Sequence, residues 1–594
     1  MPRSLGSDRR QAIVEGRVRV ALDPGRTRAG AELDRTSSAA RRRFCSLVRV
    51  PRTEGMRPAM PHEDTEVLIA GGAVVGLTAA LFLARAGVRV TLVERKPSTL
   101  RHPRARVINP RTVEIYRSVG LEETIIAAQS LTSDLSTKTV IRARTLNDAE
   151  LFSMPMRNEA PGLSAATPCD WCSIDQNRLE EIVADHAVKL GADVRYSTEL
   201  TSFDDDGDGV TATLRDADTG RERRIRARYL IAADGSRSSV RQRLGIGVTG
   251  PGVLQNIVSL VFKADLSGPL RGRDLGLGYF DQPEPGTRMM PMDGSRWVFV
   301  TPYDPVAGNA EGFDDDRCVA VIRAAVGVPD LRVDNIEVQI ERTGAKVLGY
   351  EVAAQLAERY RQGRVFLAGD AAHAMPPTGA LGAATGVQDA HNLAWKLAAV
   401  LAGDAGPGLL DTYEQERRAV AGHTIDYAMK TMRDRTSTAD GDGKSVSYAA
   451  IILGYRYDSA AVLPEETGGP PALEPGLLGA PGTRAPHCPI VRDGVPASTL
   501  DLFGEGTVLL TGPEGGGWHG AAARAGLDAR MIGGAELADP EGRWPRAYGV
   551  SPSGAVLVRP DGFVAWRAPV LPAALPRGPE AVLRSVAGRI LDRG

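Results

Sequence analysis

The chain has 594 residues, of which 43% are hydrophobic and 24% charged, with a net charge of −1. That is chain for about three to five domains, and the composition excludes a mostly disordered or fibrous protein. No run of about 18 uncharged apolar residues occurs, and the helix-like run 393–401 is short and broken by Lys396, so no membrane span is expected.

The charge is unevenly placed. Residues 1–60 hold 14 Arg, no Lys and 6 acidic residues, while the other 534 residues hold 58 basic and 67 acidic ones. A body of that sign does not bind nucleic acid through its field. The leader carries Arg9-Arg10 and Arg41-Arg42-Arg43 among Ser, Gly and Pro, without an apolar core or a small-residue cleavage site. It reads as a basic extension, disordered or arising from an upstream start, with Met56 and Met60 as alternative starts. Five cysteines (Cys45, Cys169, Cys172, Cys318, Cys488) cannot staple a chain this long, and a reducing cytoplasm fits them best.

The first strong element is residues 65–70, a short apolar run that predicts a buried parallel strand. Gly71-Gly72-Ala73-Val74-Val75-Gly76 follows, then an Ala/Leu-rich helical stretch to Ala86, stopped by Gly87. A second strand, 88–93, ends at Glu94 and Arg95, with Glu94 23 residues after Gly71. Strand, glycine turn, helix, strand, acid is the order that sets a pyrophosphate on a helix N-terminus and a ribose hydroxyl on a carboxylate. Ala73 departs from the usual middle glycine, where backbone and pyrophosphate approach.

Three further segments narrow the reading. Asp175-Gln176-Asn177-Arg178-Leu179-Glu180 is one. Asp234-Gly235-Ser236-Arg237 follows the apolar run 229–233. Gly369-Asp370-Ala371-Ala372-His373 follows 364–368 and continues through Pro376-Pro377-Thr378-Gly379 to Gly382, Ala383 and Ala384 at the head of a helix. Together with the first turn, these motifs resemble the class A flavoprotein monooxygenases of the p-hydroxybenzoate hydroxylase fold. The FAD-dependent hydroxylases of aromatic polyketides and anthracyclines are the most similar subgroup, and the resemblance covers residues 64–594.

That resemblance implies an α/β protein. A Rossmann-like FAD-binding domain would take 61–135, 169–248 and 346–408, interleaved with an antiparallel-sheet substrate domain at 136–168 and 249–345. A helical segment and linker (409–477) would lead to a thioredoxin-like C-terminal domain (478–594). The resemblance also implies site roles. Gly71, Ala73, Val75, Gly76, Glu94 and Arg95 would hold the adenosine end of FAD, and Asp234 and Gly235 the pyrophosphate region. Asp370 and Gln176 would meet the ribityl chain, and Arg104 would contact the cofactor and aid its reduction. The helix after Gly382 would aim its Ala383 and Ala384 amides at the flavin pyrimidine, stabilising negative charge there. Many relatives carry Asn where Ala384 stands. His373 reads as structural.

In the substrate half, strand-like runs at 257–262, 277–280 and 297–300 are separated by Pro, Gly and Asp turns, as in an antiparallel sheet. Tyr279, Phe280, Met289, Met290, Met292, Trp297 and Pro377 are candidates to line an apolar pocket, with plain sheet packing as the competing role. Cys169-Asp170-Trp171-Cys172 lacks the strand-then-helix setting of a redox dithiol and reads as coincidence. In the tail, residues 554–567 read as a hairpin around Pro560-Asp561-Gly562. Only Cys488 lies there, so packing or oligomer contacts, a homodimer among them, replace dithiol chemistry.

The resemblance implies that NADPH or NADH binds transiently and reduces FAD, and that reduced flavin and O2 form a C4a-hydroperoxide. An oxygen atom then passes to a phenolic ring of a polycyclic aromatic substrate. No conventional nucleophile or metal site is expected, because the cofactor carries the chemistry. The competing readings are Baeyer–Villiger insertion or oxidative rearrangement by the same apparatus, and a flavin-poor binding or scaffold protein weakened at Ala73 and Ala384. A halogenase is disfavoured by the lack of an evident catalytic-lysine motif.

Overall fold

The computed structural model describes residues 64–99, 105–129, 137–156, 163–306, 309–340, 343–436, 446–464, 479–571 and 577–593. The basic leader and Arg104 lie outside the described residues.

Val67–Ala70 is buried along its whole length and pairs in parallel with Val90–Val93 on one side and Tyr229–Ala232 on the other. A strand covered on both faces must be apolar throughout, which is why these segments read as continuous hydrophobic runs. Val365–Leu367 and Asp193–Arg195 extend the layer in parallel at either side, and Arg361–Gln362 closes it antiparallel. The helices Val74–Arg85, Gln176–Lys189 and Gly382–Ala402 pack together in the same core as this layer. An antiparallel meander, Thr198–Asp205, Val210–Asp216 and Glu222–Ala227, forms a separate three-stranded sheet.

A second, nine-stranded sheet is built from chain excursions between the parallel strands. Its order is His373–Ala374, Leu348–Ala357, Val248–Lys263, Arg296–Tyr303, Thr287–Pro291, Leu275–Phe280, Thr139–Ala143 and Glu150–Pro155, with Asn335–Ile336 paired to Val248–Lys263. One face packs on the helix Asp315–Val326 through Phe262, Phe280, Met289, Trp297 and Phe299 against Cys318, Ile322 and Val326. The other face carries Ile257, Val261, Met290, Met292, Val298 and Val300.

The tail is a four-stranded sheet, ordered Asp528–Met531, Val508–Thr511, Ala555–Val558 and Val564–Ala568, flanked by the helices Gly516–Ala525 and Gly578–Ile590. This is the thioredoxin-like arrangement. The last two strands form the hairpin around Pro560-Asp561-Gly562. Apolar residues of this domain, Trp518 and Leu557 among them, share a core with Trp395, Ala399 and Val400 of the long helix Gly382–Ala402. The charged helix expected after residue 408 runs Thr412–Thr436, behind a 3-10 turn at Pro407–Asp411.

Candidate active site

The parallel strands end in register. Ala70 is level with Val93 and Ala232, and Ala232 with Leu367. The residues that follow are therefore brought to one edge: the Gly71 turn, Glu94, Asp234 and the Gly369-Asp370 turn. That edge, at the carboxyl ends of parallel strands, is where α/β layers bind nucleotides.

The first turn is tight for a stated reason. Gly71 has φ +112°, and a Cβ there would stand 2.2 Å from the Ala233 carbonyl oxygen. A Cβ at Gly76 would stand 1.9 Å from the Gly71 carbonyl oxygen. Both positions therefore require glycine for close approach of turn, helix and neighbouring strand. Val75 fills the space that side chains at Gly369 and Gly386 would need, with its Cγ2 2.8 and 2.5 Å from their Cβ positions. It locks the first helix against both the Asp370 turn and the long helix. Ala73 is the N-cap residue, with φ −85° and ψ −179°, an extended conformation open to any residue. The departure from glycine there costs no backbone strain.

Glu94 is half-buried and accepts hydrogen bonds from the amides of Gly72 at 2.7 Å and Lys96 at 3.0 Å. Those bonds orient its carboxylate at the strand end, while Arg95 is exposed. Asp234 Oδ2 accepts from Val240 N at 3.3 Å, in the turn that leads to the helix Ser239–Arg243. Its Oδ1 is buried with no partner. Gly235 has φ +89° and open space where a Cβ would be. Arg241 joins the turns that follow Asp234 and Asp370, donating to the Ala371 carbonyl at 2.8 Å and the Ser236 carbonyl at 2.9 Å. Asp370 is exposed on its 3-10 turn.

Gln176, Ala383 and Ala384 meet in a small apolar cleft lined also by Val74, Ala105, Ile108, Leu179 and Val387. The cleft lies between the N-terminal turns of the first and the long helix, so both helix dipoles turn their positive ends to it. Gln176 is fixed by mutual bonds with Ala105 and donates to Glu180 Oε1 at 2.7 Å. Glu180 also accepts from Val74 N at 3.1 Å and is 4% exposed. Sequence reasoning assigned Glu180 no role. Its signal was there, four residues after Gln176 and so on the same helix face.

His373, Asp389 and Arg417 form a fully buried polar cluster. His373 Nε2 bonds to Asp389 Oδ2 at 2.7 Å, Arg417 Nε donates to Asp389 Oδ1 at 2.8 Å, and Gly369 N donates to Asp389 Oδ2 at 3.1 Å. Burial raises the Asp389 carboxyl, but His373 and Arg417 more than offset that and hold it below the ordinary carboxylate range. His373 thus packs as a structural group that ties the Asp370 turn to the long helix.

The pocket candidates divide between the two faces of the nine-stranded sheet, called the roof sheet below. Tyr279 is level with Arg288, and Arg288 with Val300, so these share the face of Met290 and Val298. Trp297 does not join them. It pairs with Pro291 and packs in the cluster under the helix Asp315–Val326, together with Phe280 and Met289. The run 297–300 is apolar at every position, so alternation gives no sign of which side chains face the site. Pro377 is exposed on the segment leading into the long helix. Arg106 bonds to Asp175 at 2.9 Å and to the Pro291 carbonyl. It bridges the cleft to the roof sheet. Cys169 and Cys172 are both free and buried, and burial pushes the Cys172 thiol up to about 12, so neither is a poised thiolate.

The residues present fit a bound FAD. A glycine-lined turn admits the pyrophosphate, a buried Asp234 oxygen lacks a partner, and two helix N-termini face one cleft. Comparison with known proteins agrees. Residues 64–428 match the FAD binding domain family, and residues 479–593 match the C-terminal domain of aromatic-ring hydroxylases. The chain is 42% identical to tetracenomycin A2 monooxygenase-dioxygenase of Streptomyces glaucescens, over 90% of this chain and 98% of that one. It is 40% identical to aklavinone 12-hydroxylase RdmE of Streptomyces purpurascens, over 90% of this chain and 100% of that one. A crystal structure of aklavinone-11 hydroxylase with FAD and aklavinone superposes with a TM-score of 0.81 at 38% identity, covering 90% of this chain and 100% of that one. The chain belongs to the FAD-binding aromatic-ring hydroxylases. It is an FAD-dependent monooxygenase that draws its electrons from NADPH or NADH.

Proposed function

We propose that the substrate is a polycyclic phenolic compound of polyketide type and that O2 supplies the oxygen placed on its ring. The observation that carries this is the apolar face of the nine-stranded sheet turned away from the helix Asp315–Val326. Ile257, Val261, Met290, Val298 and Val300 form a buried apolar cluster on that face, with Tyr279 and Arg288 in register beside it. Such a face suits a flat fused-ring molecule. The relatives named for tetracenomycin and aklavinone support the same class.

Bound FAD supplies the redox and oxygen-activating chemistry. The chain's own residues hold and orient. The amides around Gly71–Gly76 and the first helix N-terminus receive the pyrophosphate, and Glu94 takes ribose hydroxyls. Asp234, Asp370 and Gln176 hold the linker. The Ala383 and Ala384 amides at the head of the long helix favour negative charge at the ring's pyrimidine end. The roof sheet excludes water and presents the ring to be oxidised. In this reading 61–135, 169–248 and 346–408 serve the cofactor, 136–168 and 249–345 serve the substrate and the tail serves as support, although Leu348–Ala357 and His373–Ala374, within the third cofactor range, are strands of the nine-stranded sheet. The free cysteines Cys169, Cys172, Cys318 and Cys488 support a cytoplasmic setting, and no helix among the described residues is long and apolar enough to cross a membrane.

The test is NADPH oxidation by the purified holoenzyme with a panel of polycyclic phenols, with products weighed by mass spectrometry. Faster NADPH consumption with oxygen gained by the phenol supports the reading. Oxidation confined to single-ring phenols would overturn it.

A further inference from the structure

Arg288 is a side chain that the cofactor site does not use. It stands in a cross-strand row, level with Val300 on one side and Tyr279 on the other, and the row continues to Ser259 and Arg142. Residues in register share a face. Arg288 therefore lies with Met290, Val298 and Val300, away from the helix Asp315–Val326.

Its guanidinium is in an unusual state. Nε and Nη2 are both buried, and neither has a hydrogen-bond partner. Those two N–H groups lie on one edge of the guanidinium and donate in parallel, the fork that grips two oxygens together. The neighbouring arginines are differently placed. Arg142 donates to Asp281 at 3.2 Å, and Arg106 is tied to Asp175 and the Pro291 carbonyl. A permanent charge with two buried, unpaired donors is costly, and a native fold keeps such a group for a reason.

We propose that Arg288 sets which ring of the substrate is oxidised, by gripping a pair of oxygens on one edge of the fused aromatic. A carboxylate and a peri-related hydroxyl and carbonyl both present that pair. The assignment rests on the polycyclic-substrate reading above and makes it more specific. Tyr279 and Met290 flank the fork, so a molecule anchored there lies against the apolar face with its orientation fixed.

The test uses full-length holoenzyme, wild type, Arg288→Met and Arg288→Lys, with three probes. These are 1,8-dihydroxyanthraquinone, which carries the peri pair, anthraquinone-2-carboxylate, and 2-hydroxyanthraquinone, which carries neither. Binding is read from the perturbed flavin absorbance. Wild type is expected to bind at least one of the first two about tenfold tighter than the third. Arg288→Met is expected to lose that preference, with flavin content unchanged and the thermal midpoint unchanged or raised, because two buried donors without partners are removed. Arg288→Lys, a point donor without the fork, should fall between. Which probe loses affinity identifies the source of the oxygen pair. No preference in the wild type, or a preference kept by Arg288→Met, would overturn the assignment, as would loss of flavin or a lower midpoint in that variant. A wild type that shows the preference yet oxidises no polycyclic phenol would leave the Arg288 site standing and overturn the activity reading instead.

Discussion

Arg559 donates through Nη1 and Nη2 to both carboxylate oxygens of Glu416, at 2.6 and 2.8 Å, and neither side chain is exposed to solvent. Arg559 and Asp561 sit at the turn of the C-terminal hairpin, whereas Glu416 lies on the helix Thr412–Thr436. Lys396 and Asn392, both on the long helix, donate to Glu416 Oε2 at 2.8 Å each. Asn392 also reaches Asp561 Oδ2 at 3.0 Å. The tail domain is thus bolted to the helix whose first turn lines the cleft with Gln176. Burial lowers the Lys396 ammonium to about 8 even with Glu416 beside it, a measure of how dry the cluster is.

Removing one member should leave charges buried without compensation. Arg559→Met is expected to cost about 3–5 kcal/mol of stability. The thermal midpoint should fall clearly and bound flavin should fall with it. The double variant Arg559→Met/Glu416→Met should lose less than the sum of the two single changes, which a double-mutant cycle on the midpoints would measure.

Gly76→Ala places a methyl about where the Gly71 carbonyl oxygen stands, 1.9 Å away, and backbone cannot yield as a side-chain tip can. The turn proposed to receive the pyrophosphate must then open. The expected result is purified protein with less than about a tenth of the wild-type flavin. Ala73→Gly, at an extended N-cap residue, should keep its flavin.

Asp370 is exposed, so its removal should not disturb packing. Asp370→Ala is expected to lose FAD while the flavin-free protein keeps its thermal midpoint. Absorbance and differential scanning fluorimetry on the same sample check both halves.

The pH dependence can be given a sign. His391 packs against Phe82 with ring centroids 4.6 Å apart, and burial, with Arg111 nearby, lowers its pKa from 6.5 to about 3. Between those values the unfolded chain binds a proton that the folded chain refuses. Stability therefore falls as pH drops from 6.5 toward 3, by up to about 1.4 kcal/mol per pH unit from this residue. His391→Asn should flatten the acid limb of a midpoint-against-pH curve, and an unchanged limb would contradict the assignment.

That the turns at Gly71, Glu94, Asp234 and Asp370 share one edge of the parallel layer was legible in the chain because each follows a buried strand and is marked by glycine or an acidic residue. All four are placed by short-range rules acting on separate segments. The roof was less legible. At Trp297 an unbroken apolar run hides the two-residue period, and only the pairing with Pro291 shows that it faces the helix. The Arg559–Glu416 cluster could not be read, since its members come together only after folding. Lys396, a lone charge in an apolar helical run, was its one local sign. Arg288 stood unremarked, because an unpaired donor is a property of the packed surroundings and not of the residue.

The most direct test of the central claim is turnover of the holoenzyme with NADPH, a polycyclic phenol and oxygen-18 gas. The expected result is at least one labelled oxygen in the organic product, with none incorporated from labelled water into the same position. Product without label, or label uptake by protein freed of flavin, would contradict the account.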